Sequence, residues 1–145
     1  MASSKSVVLG YDRSPGAHRA LEIAIEIAGT FDVPLVLVHG ITPPGGVGEE
    51  AGEARKALDE FDDAIIAPAA AAAEAAGVPV VVQVVNDRPA QALVAAADQH
   101  DALAIVVGTW NDSPLRGALL GSVAHKLLQI STRPVLCVPG GPSTE

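Results

Sequence analysis

The stretch "VVGTWNDSPLRGALLGSV", residues 106–123, contains a glycine that ends one apolar run and a Gly-Ser pair that opens the next, and we infer the fold from this alternation. An apolar run ends at Gly108, and a polar loop that contains Pro114 and Arg116 follows it. Gly121-Ser122 then opens a second apolar run, which continues to residue 131 with the spacing of a helix. The stretch therefore predicts the end of a strand, a loop and the start of a helix.

The same alternation extends over the rest of the chain. Short β-branched runs predict five strands, at residues 6–12, 33–40, 78–85, 102–108 and 133–140. Most of these runs are continuously apolar, which indicates burial on both sheet faces and hence parallel pairing. Ala-rich segments of helical pattern lie between them, at residues 14–31, 49–77, 88–100 and 121–131. Right-handed crossovers then predict an α/β fold of three layers, with an open five-stranded parallel sheet between helices.

Local signals mark the ends of the first helix and one weak point in the second. Ser14 is a candidate N-cap, and Pro15 is suited to the first helical position. Gly29 can supply the stop at the other end. Pro68 lies inside the second helical segment, so a kink or break is expected there.

The length and composition indicate one globular domain. The 145 residues are 49% hydrophobic and 18% charged, a composition that excludes disorder. We expect a core over residues 6–139 and a short flexible tail at 140–145. No apolar run reaches the roughly 18 residues of a membrane span, and the first residues are a poor signal peptide. Cys137 is the single cysteine, which excludes an internal disulfide and favours a reducing, cytoplasmic location.

The charge of the chain restricts its partners. The formal net charge is −8, which argues against nucleic acid, because its phosphates need clustered Lys and Arg. Any bound anion must instead be held by local dipoles and hydrogen bonds.

A candidate ligand site lies where the carboxyl ends of the strands meet, because ligands of open α/β sheets bind there. Gly121-Ser122 begins the fourth helix, and a helix start offers unpaired backbone N–H groups and a partial positive charge. The glycine permits close approach, Ser122 adds a hydroxyl and Arg116 can supply a countercharge, which together suit a phosphate. A Gly-Ser pair before a helix is also an ordinary cap, and the residues alone leave both interpretations open.

The chain resembles the universal stress protein family over about Val7–Val138. The resemblance rests on "VVLGYDRSPGAHRAL", on "LVLVHG" in the second strand and on "GTWNDSPLRGALLGSVAHKLLQISTRPVLCVP". It implies a Rossmann-like, adenine nucleotide alpha hydrolase-like sheet with the strand order 3-2-1-4-5. Nucleotide-binding members carry G-x2-G-x9-G-[ST], in which Gly108, Gly121 and Ser122 fill the first, third and last positions here.

The resemblance also implies the roles of individual residues in binding ATP, with or without Mg²⁺. Asp12 matches an acidic residue that lies against the nucleoside, and the backbone of Gly40 matches a partner of the adenine edge. The matching ribose and phosphate cradle consists of Gly108, Asn111, Gly121, Ser122 and Val123.

Asn111 departs from the family pattern, since it stands at the second motif glycine. Asn readily adopts positive φ, so the turn is compatible with it, while its side chain and the neighbouring Trp110 can fill phosphate space. Two hypotheses follow. The first is a nucleotide-responsive dimeric stress-response module; the second is a nucleotide-free dimeric interaction module whose pocket Asn111 and Trp110 close.

Other protein classes fit the sequence less well. A phosphorylation receiver domain needs an acidic cluster after the first strand and a Lys after the fifth, and neither is present. The four histidines lack metal-ligand spacing, and no Walker-type motif exists, so an enzyme is not expected, although slow ATP hydrolysis stays compatible. The fifth strand should lie at the sheet edge. In relatives this edge pairs across a two-fold axis, which predicts a homodimer through Val135, Leu136, Cys137 and Val138.

Overall fold

The computed structural model describes residues 5–11, 16–40, 64, 66–85, 89–109 and 122–140. Over these ranges the chain forms one five-stranded parallel sheet with the order β3-β2-β1-β4-β5, as predicted. The strands are β1 Ser6–Gly10, β2 Leu35–Gly40, β3 Val80–Val85, β4 Ala102–Thr109 and β5 Val135–Pro139. The helices are α1 Ala17–Phe31, α3 Pro89–Gln99 and α4 Ser122–Ile130, and α2 covers at least residues 66–75.

The sheet is buried on both faces, which explains the continuously apolar strands. Val7 and Leu9 of β1 pack on the side of α1 and α2, while Val8 between them packs on the side of α3 and α4. Each of the three is fully buried. Since successive side chains of a strand point to opposite faces, one apolar run supplies two cores. The three-layer prediction is therefore confirmed.

The ends of α1 differ from the prediction. The helix begins at Ala17 after Gly16, which is the N-cap and lies beyond the expected Ser14 and Pro15; those two residues are outside the described ranges. At the other end the helix passes through Gly29 and ends at Phe31, with Asp32 as the C-cap at φ 56°. Asp tolerates this left-handed conformation, and its backbone N–H lies against the carbonyls of Ala28 and Gly29. Of the kink or break expected at Pro68, a break is absent, because residues 66–75 are continuously helical.

A polar network joins the amino ends of β1, β4 and β5. Arg133, just before β5, donates to the Asp98 carboxylate (3.2 Å), the Asp101 carboxylate (3.0 Å) and the Ala102 carbonyl (2.9 Å). Lys5 lies 3.4 Å from the other Asp101 oxygen. The hydrogen bond from Arg133, together with Lys5, lowers the pKa of the Asp101 carboxyl below its ordinary value. These charged side chains therefore link β1, β4 and β5 at their amino ends, at the opposite side of the sheet from the carboxyl ends of the strands.

No helix in the described part of the chain is both long and apolar enough to cross a bilayer.

Candidate functional site

A cleft of about 80 Å³ opens at the carboxyl ends of β1 and β4, and we call it the switch-point cleft. The strand order reverses between these two strands, because β1 continues to β2 on one side while β4 continues to β5 on the other. Doubly wound sheets bind ligands at this place. The residues that line the cleft come from three strands and the starts of two helices: Gly10, Tyr11, Val38, Pro89, Leu93, Val107, Gly108 and Val123.

The cleft has an apolar floor. Val38, Leu93 and Val107 line it and belong to the core between the sheet and α3 and α4. Gly10 also lines the cleft, and its lack of a side chain leaves room for Leu93. A Cβ at position 10 would lie 2.9 Å from a methyl group of Leu93. Leu93 thus fills the place beside Gly10, and its position sets how much of the floor is open.

Two helix starts border this apolar floor. Pro89 begins α3 and Val123 is the second residue of α4, and both residues line the cleft. The first turns of helices carry backbone N–H groups without helical partners and a partial positive charge. The cleft therefore combines an apolar surface with a border that favours an anion.

Gly108 is required by packing between β4 and α1. A Cβ on Gly108 would lie 2.5 Å from the carbonyl carbon of Gly16 and 2.7 Å from the nitrogen of Ala17. In turn, a Cβ on Gly16 would lie 2.6 Å from the Val138 oxygen and 2.8 Å from the Thr109 nitrogen. All of these atoms are backbone and cannot rotate away. A side chain at position 108 would therefore point toward α1, whereas the neighbouring Val107 packs in the core on the side of the sheet where the cleft lies.

Tyr11 and His39 connect the ends of β1 and β2. The Tyr11 N–H donates to the Val38 carbonyl (3.0 Å), and the Tyr11 carbonyl lies 2.8 Å from Nδ1 of His39. His39 is only 8% exposed. The Tyr11 ring also meets the His18 ring edge-on, at 6.4 Å between centroids. These contacts fix the backbone of β1 where it reaches the cleft.

The structure brings together part of the predicted site. Gly108 and Val123 line the cleft, Ser122 is the first residue of α4, and Gly40 ends β2 opposite Val85 of β3. The other predicted residues lie outside the described ranges: Asp12, Asn111, Arg116 and Gly121, together with Trp110.

Several cleft residues were not predicted from the sequence. Val38, Leu93 and Val107 are apolar residues inside apolar runs, and nothing in the sequence distinguishes them from other core positions. Gly10 did offer a signal, because it is a glycine that ends a buried strand beside the predicted ligand edge.

The edge strand β5 is only partly exposed. Leu136 is 39% exposed, whereas Val138 is 3% exposed and packs in the core of its own chain with α1 and α2. Cys137 is half-buried on the other face, and burial raises the pKa of its thiol. Of the four residues predicted at a dimer contact, Leu136 thus has the most exposed side chain. The side chain of Val138 is buried in the core of its own chain.

Nothing in the described residues resembles a metal centre. No group of three or more His, Cys, Asp or Glu side chains is close enough there to hold a metal ion. The cleft residues that the structure describes are apolar or glycine apart from Tyr11, whose phenol belongs to the groups that can act as a general acid or base.

Comparisons with known proteins agree with this architecture. The model of the universal stress protein family matches residues 3–139. A universal stress protein of Mycobacterium tuberculosis strain H37Rv is 30% identical in an alignment of 148 positions that covers 94% of this chain and 48% of that protein. The chain thus spans about half the length of this relative. A universal stress protein of Thermus aquaticus is 34% identical in an alignment of 137 positions that covers 92% of this chain and 98% of the relative.

Two solved structures are also similar. The universal stress protein of Archaeoglobus fulgidus in complex with dAMP has a TM-score of 0.70 at 26% identity, over 92% of this chain and 97% of that one. A universal stress protein in complex with cAMP has a TM-score of 0.73 at 29% identity, over 97% of this chain and 100% of that one.

Proposed function

The chain belongs to the universal stress protein family, and from this premise we propose that it binds ATP or a related adenine nucleotide at the switch-point cleft. In this proposal it is a dimeric stress-response and signalling module of the cytoplasm that changes state when nucleotide is bound. We assign it no enzymatic activity, and slow ATP hydrolysis stays compatible with the proposal.

The position of the switch-point cleft carries the proposal. An apolar floor of Val38, Leu93 and Val107 suits the face of a purine base, and the start of α4 at Ser122 suits a phosphate. The two relatives in complex with dAMP and cAMP extend over nearly the whole chain and carry adenine nucleotides, which supports the same ligand class here. ATP with Mg²⁺ is the form that we propose first.

The net charge of −8 decides how such a ligand is held. Because the field of the whole protein repels an anion, the binding free energy must come from base burial and from local donors at the helix start. Arg116, Asn111, Gly121 and Asp12 are the remaining predicted contacts, and they lie outside the described residues.

Calorimetric titration with ATP and Mg²⁺ tests the proposal. We expect measurable heat and a rise in the melting temperature with nucleotide concentration, since a ligand that binds only the folded state stabilises it by mass action. AMP and cAMP titrations establish the preference among adenine nucleotides, and GTP is the control for the base. Absence of heat and of stabilisation at millimolar ATP, AMP and cAMP would leave the nucleotide-free interaction module, with the pocket closed by Asn111 and Trp110, as the function.

The proposed dimer has its own test. Leu136 is exposed on the edge strand β5, and a charge at that position should weaken edge-to-edge pairing. We expect Leu136→Lys to convert a dimer into a monomer in sedimentation equilibrium, while Leu128→Lys, an exposed change on α4, leaves the mass unchanged. A wild-type chain that sediments as a monomer at tens of micromolar would contradict the dimer.

A further inference from the structure

The outer edge of β3, the side of this strand away from β2, exposes apolar side chains. Val81, Val82 and Val84 are 40%, 43% and 48% exposed, although strands of a parallel sheet are ordinarily covered on both faces. β3 is the first strand of the sheet order, and within the described part of the chain it pairs with β2 alone. This edge lies outside the switch-point cleft, and nucleotide binding does not use it.

The register of β3 shows which of its backbone groups face outward. The Leu35 N–H donates to the Pro79 carbonyl at 2.8 Å, and Leu35 pairs with Val80. The peptide groups of successive residues point to opposite sides of a strand, so the odd-numbered residues of β3 face β2. The residues whose N–H and carbonyl groups face away from β2 are therefore Val80, Val82 and Val84.

The opposite edge of the sheet, formed by β5, is less open. By the same alternation, the outward residues of β5 are Val135, Cys137 and Pro139. Pro139 has no N–H, and its carbonyl accepts a hydrogen bond from Arg19 at 3.3 Å. Natural sheets prevent edge pairing with charges, prolines and bulges. β3 contains no charged residue and no proline, and its register with β2 is unbroken.

The polar side chain of β3 is used within the chain. The Gln83 side-chain nitrogen lies 3.1 Å from Nε2 of His100, the residue after α3. The exposed side chains that the structure describes in β3 are all valine. Outward peptide groups flanked by valines suit a further β-strand as the partner, because a strand satisfies both the hydrogen bonds and the apolar surface.

We propose that the outer edge of β3 is a self-association surface, at which two copies of the chain pair their β3 strands antiparallel about Val82. Val82 then lies opposite Val82 of the second copy, and Val80 lies opposite Val84 of that copy. Every outward N–H meets an outward carbonyl, and valine meets valine on the face of α1 and α2. A second copy fits because the edge is complementary to itself under a two-fold rotation.

The size of the surface sets the strength of the association. A standard interface takes about 20–30 residues from each partner, whereas β3 supplies six. We therefore expect reversible association at hundreds of micromolar and no permanent dimer. The net charge of −8 on each copy opposes the contact, so added salt should strengthen it. The proposed β5 dimer uses the other edge, and a chain with both contacts forms linear assemblies instead of a closed pair.

Sedimentation equilibrium of the Leu136→Lys variant tests the β3 edge with the proposed β5 contact removed. Between about 20 µM and about 1 mM, we expect the mass to rise from one chain toward two. Adding Val82→Lys places like charges opposite each other on the two-fold axis and should weaken the association at least about tenfold. Val82→Thr, which is β-branched and uncharged, is the matched control and should stay within about threefold. Val82 is already 43% exposed, so both variants should fold, and melting temperatures check this.

Amide hydrogen exchange locates the contact within the strand. The outward amides of Val82 and Val84 should exchange quickly at about 50 µM and about threefold more slowly at about 1 mM, in proportion to the paired fraction. The Val81 amide faces β2, and its exchange should not depend on concentration.

The results separate three occupants of the edge. A mass that rises with concentration, falls with Val82→Lys and is kept with Val82→Thr supports a second copy. Slow exchange of Val82 and Val84 already at low concentration overturns the inference, because the edge is then covered within one chain. A mass that stays constant to about 1 mM, or that Val82→Lys and Val82→Thr affect equally, also overturns it and leaves the edge to a different protein or to none. These measurements use no nucleotide, so their failure leaves the proposed function intact.

Discussion

Gly108→Ala is expected to lower the free energy of unfolding by about 3 kcal/mol or more, a large change for one added methyl group. The added carbon would lie 2.5 Å from the Gly16 carbonyl carbon and 2.7 Å from the Ala17 nitrogen, so β4 and α1 must separate. For a domain of this size the melting temperature should fall by roughly 10 °C. Thermal and urea unfolding measure the effect.

Gly29→Ala is the matched control, since it adds the same methyl group to another glycine. The nearest atom to its Cβ is a Val78 methyl at 3.7 Å, which is ordinary contact, and Gly29 lies within helix α1. This substitution should be neutral or stabilising by up to about 1 kcal/mol. Equal stability of the two variants would contradict the packing role of Gly108.

This expectation changes how Gly108 variants are interpreted. Gly108 fills the first position of the glycine motif, and a loss of nucleotide binding on substitution would ordinarily be read as loss of a phosphate contact. Because the added side chain would point toward α1 and clash with backbone there, unfolding alone can produce the same loss. Binding by a Gly108 variant is informative only after its folded fraction is known.

Val123→Glu is expected to weaken ATP binding about a hundredfold while leaving the protein folded. Val123 lines the cleft at the second residue of α4, where we propose that the phosphates lie. One added carboxylate about 5 Å from a phosphate charge costs about 3 kcal/mol at an effective dielectric constant of about 20. The first turn of α4 has no acidic residue, and a Glu there interacts favourably with the helix dipole, which offsets the lost packing.

Val123→Gln separates charge from shape, because Gln matches Glu in size and is neutral. Calorimetry should show the Gln variant binding ATP much more tightly than the Glu variant, and added salt should narrow the gap by screening the repulsion. Identical affinities of the two variants would place the phosphates elsewhere.

The layered fold was predictable because it follows from local patterns. Continuous apolar runs indicated strands buried on both faces, and all five strands and the helices lie where the alternation placed them, within two or three residues at the described ends. The order 3-2-1-4-5 came from the resemblance to a family, since the runs alone do not say which strands are neighbours. The sheet order confirms it.

The later start of α1 has its physical cause in contacts between distant parts of the chain. Ser14 and Pro15 predicted an early start for α1, yet α1 begins after Gly16, whose backbone lies against Thr109 and Val138. The sequence around Gly16 does not indicate that its backbone contacts these two distant residues. The stop at Asp32 instead of Gly29 is a local matter, because Asp also adopts the left-handed conformation that the helix end requires.

The candidate site was predictable in part. The loop ends and the start of α4 followed from the glycine motif, and Gly108 and Val123 do line the cleft. The apolar floor and the bond between the His39 ring and the Tyr11 carbonyl depend on which residues of neighbouring strands meet, which one sequence does not specify.

The network of Lys5, Asp98, Asp101 and Arg133 has a consequence for protein engineering. It fastens three strands at the rim remote from the cleft, so that the scaffold does not rely on the cleft's loops for this cohesion. Replacing the loops at the carboxyl ends of the strands with those of a relative should therefore change which ligand is bound while the sheet stays intact. TIM barrels separate stability from ligand specificity in the same way.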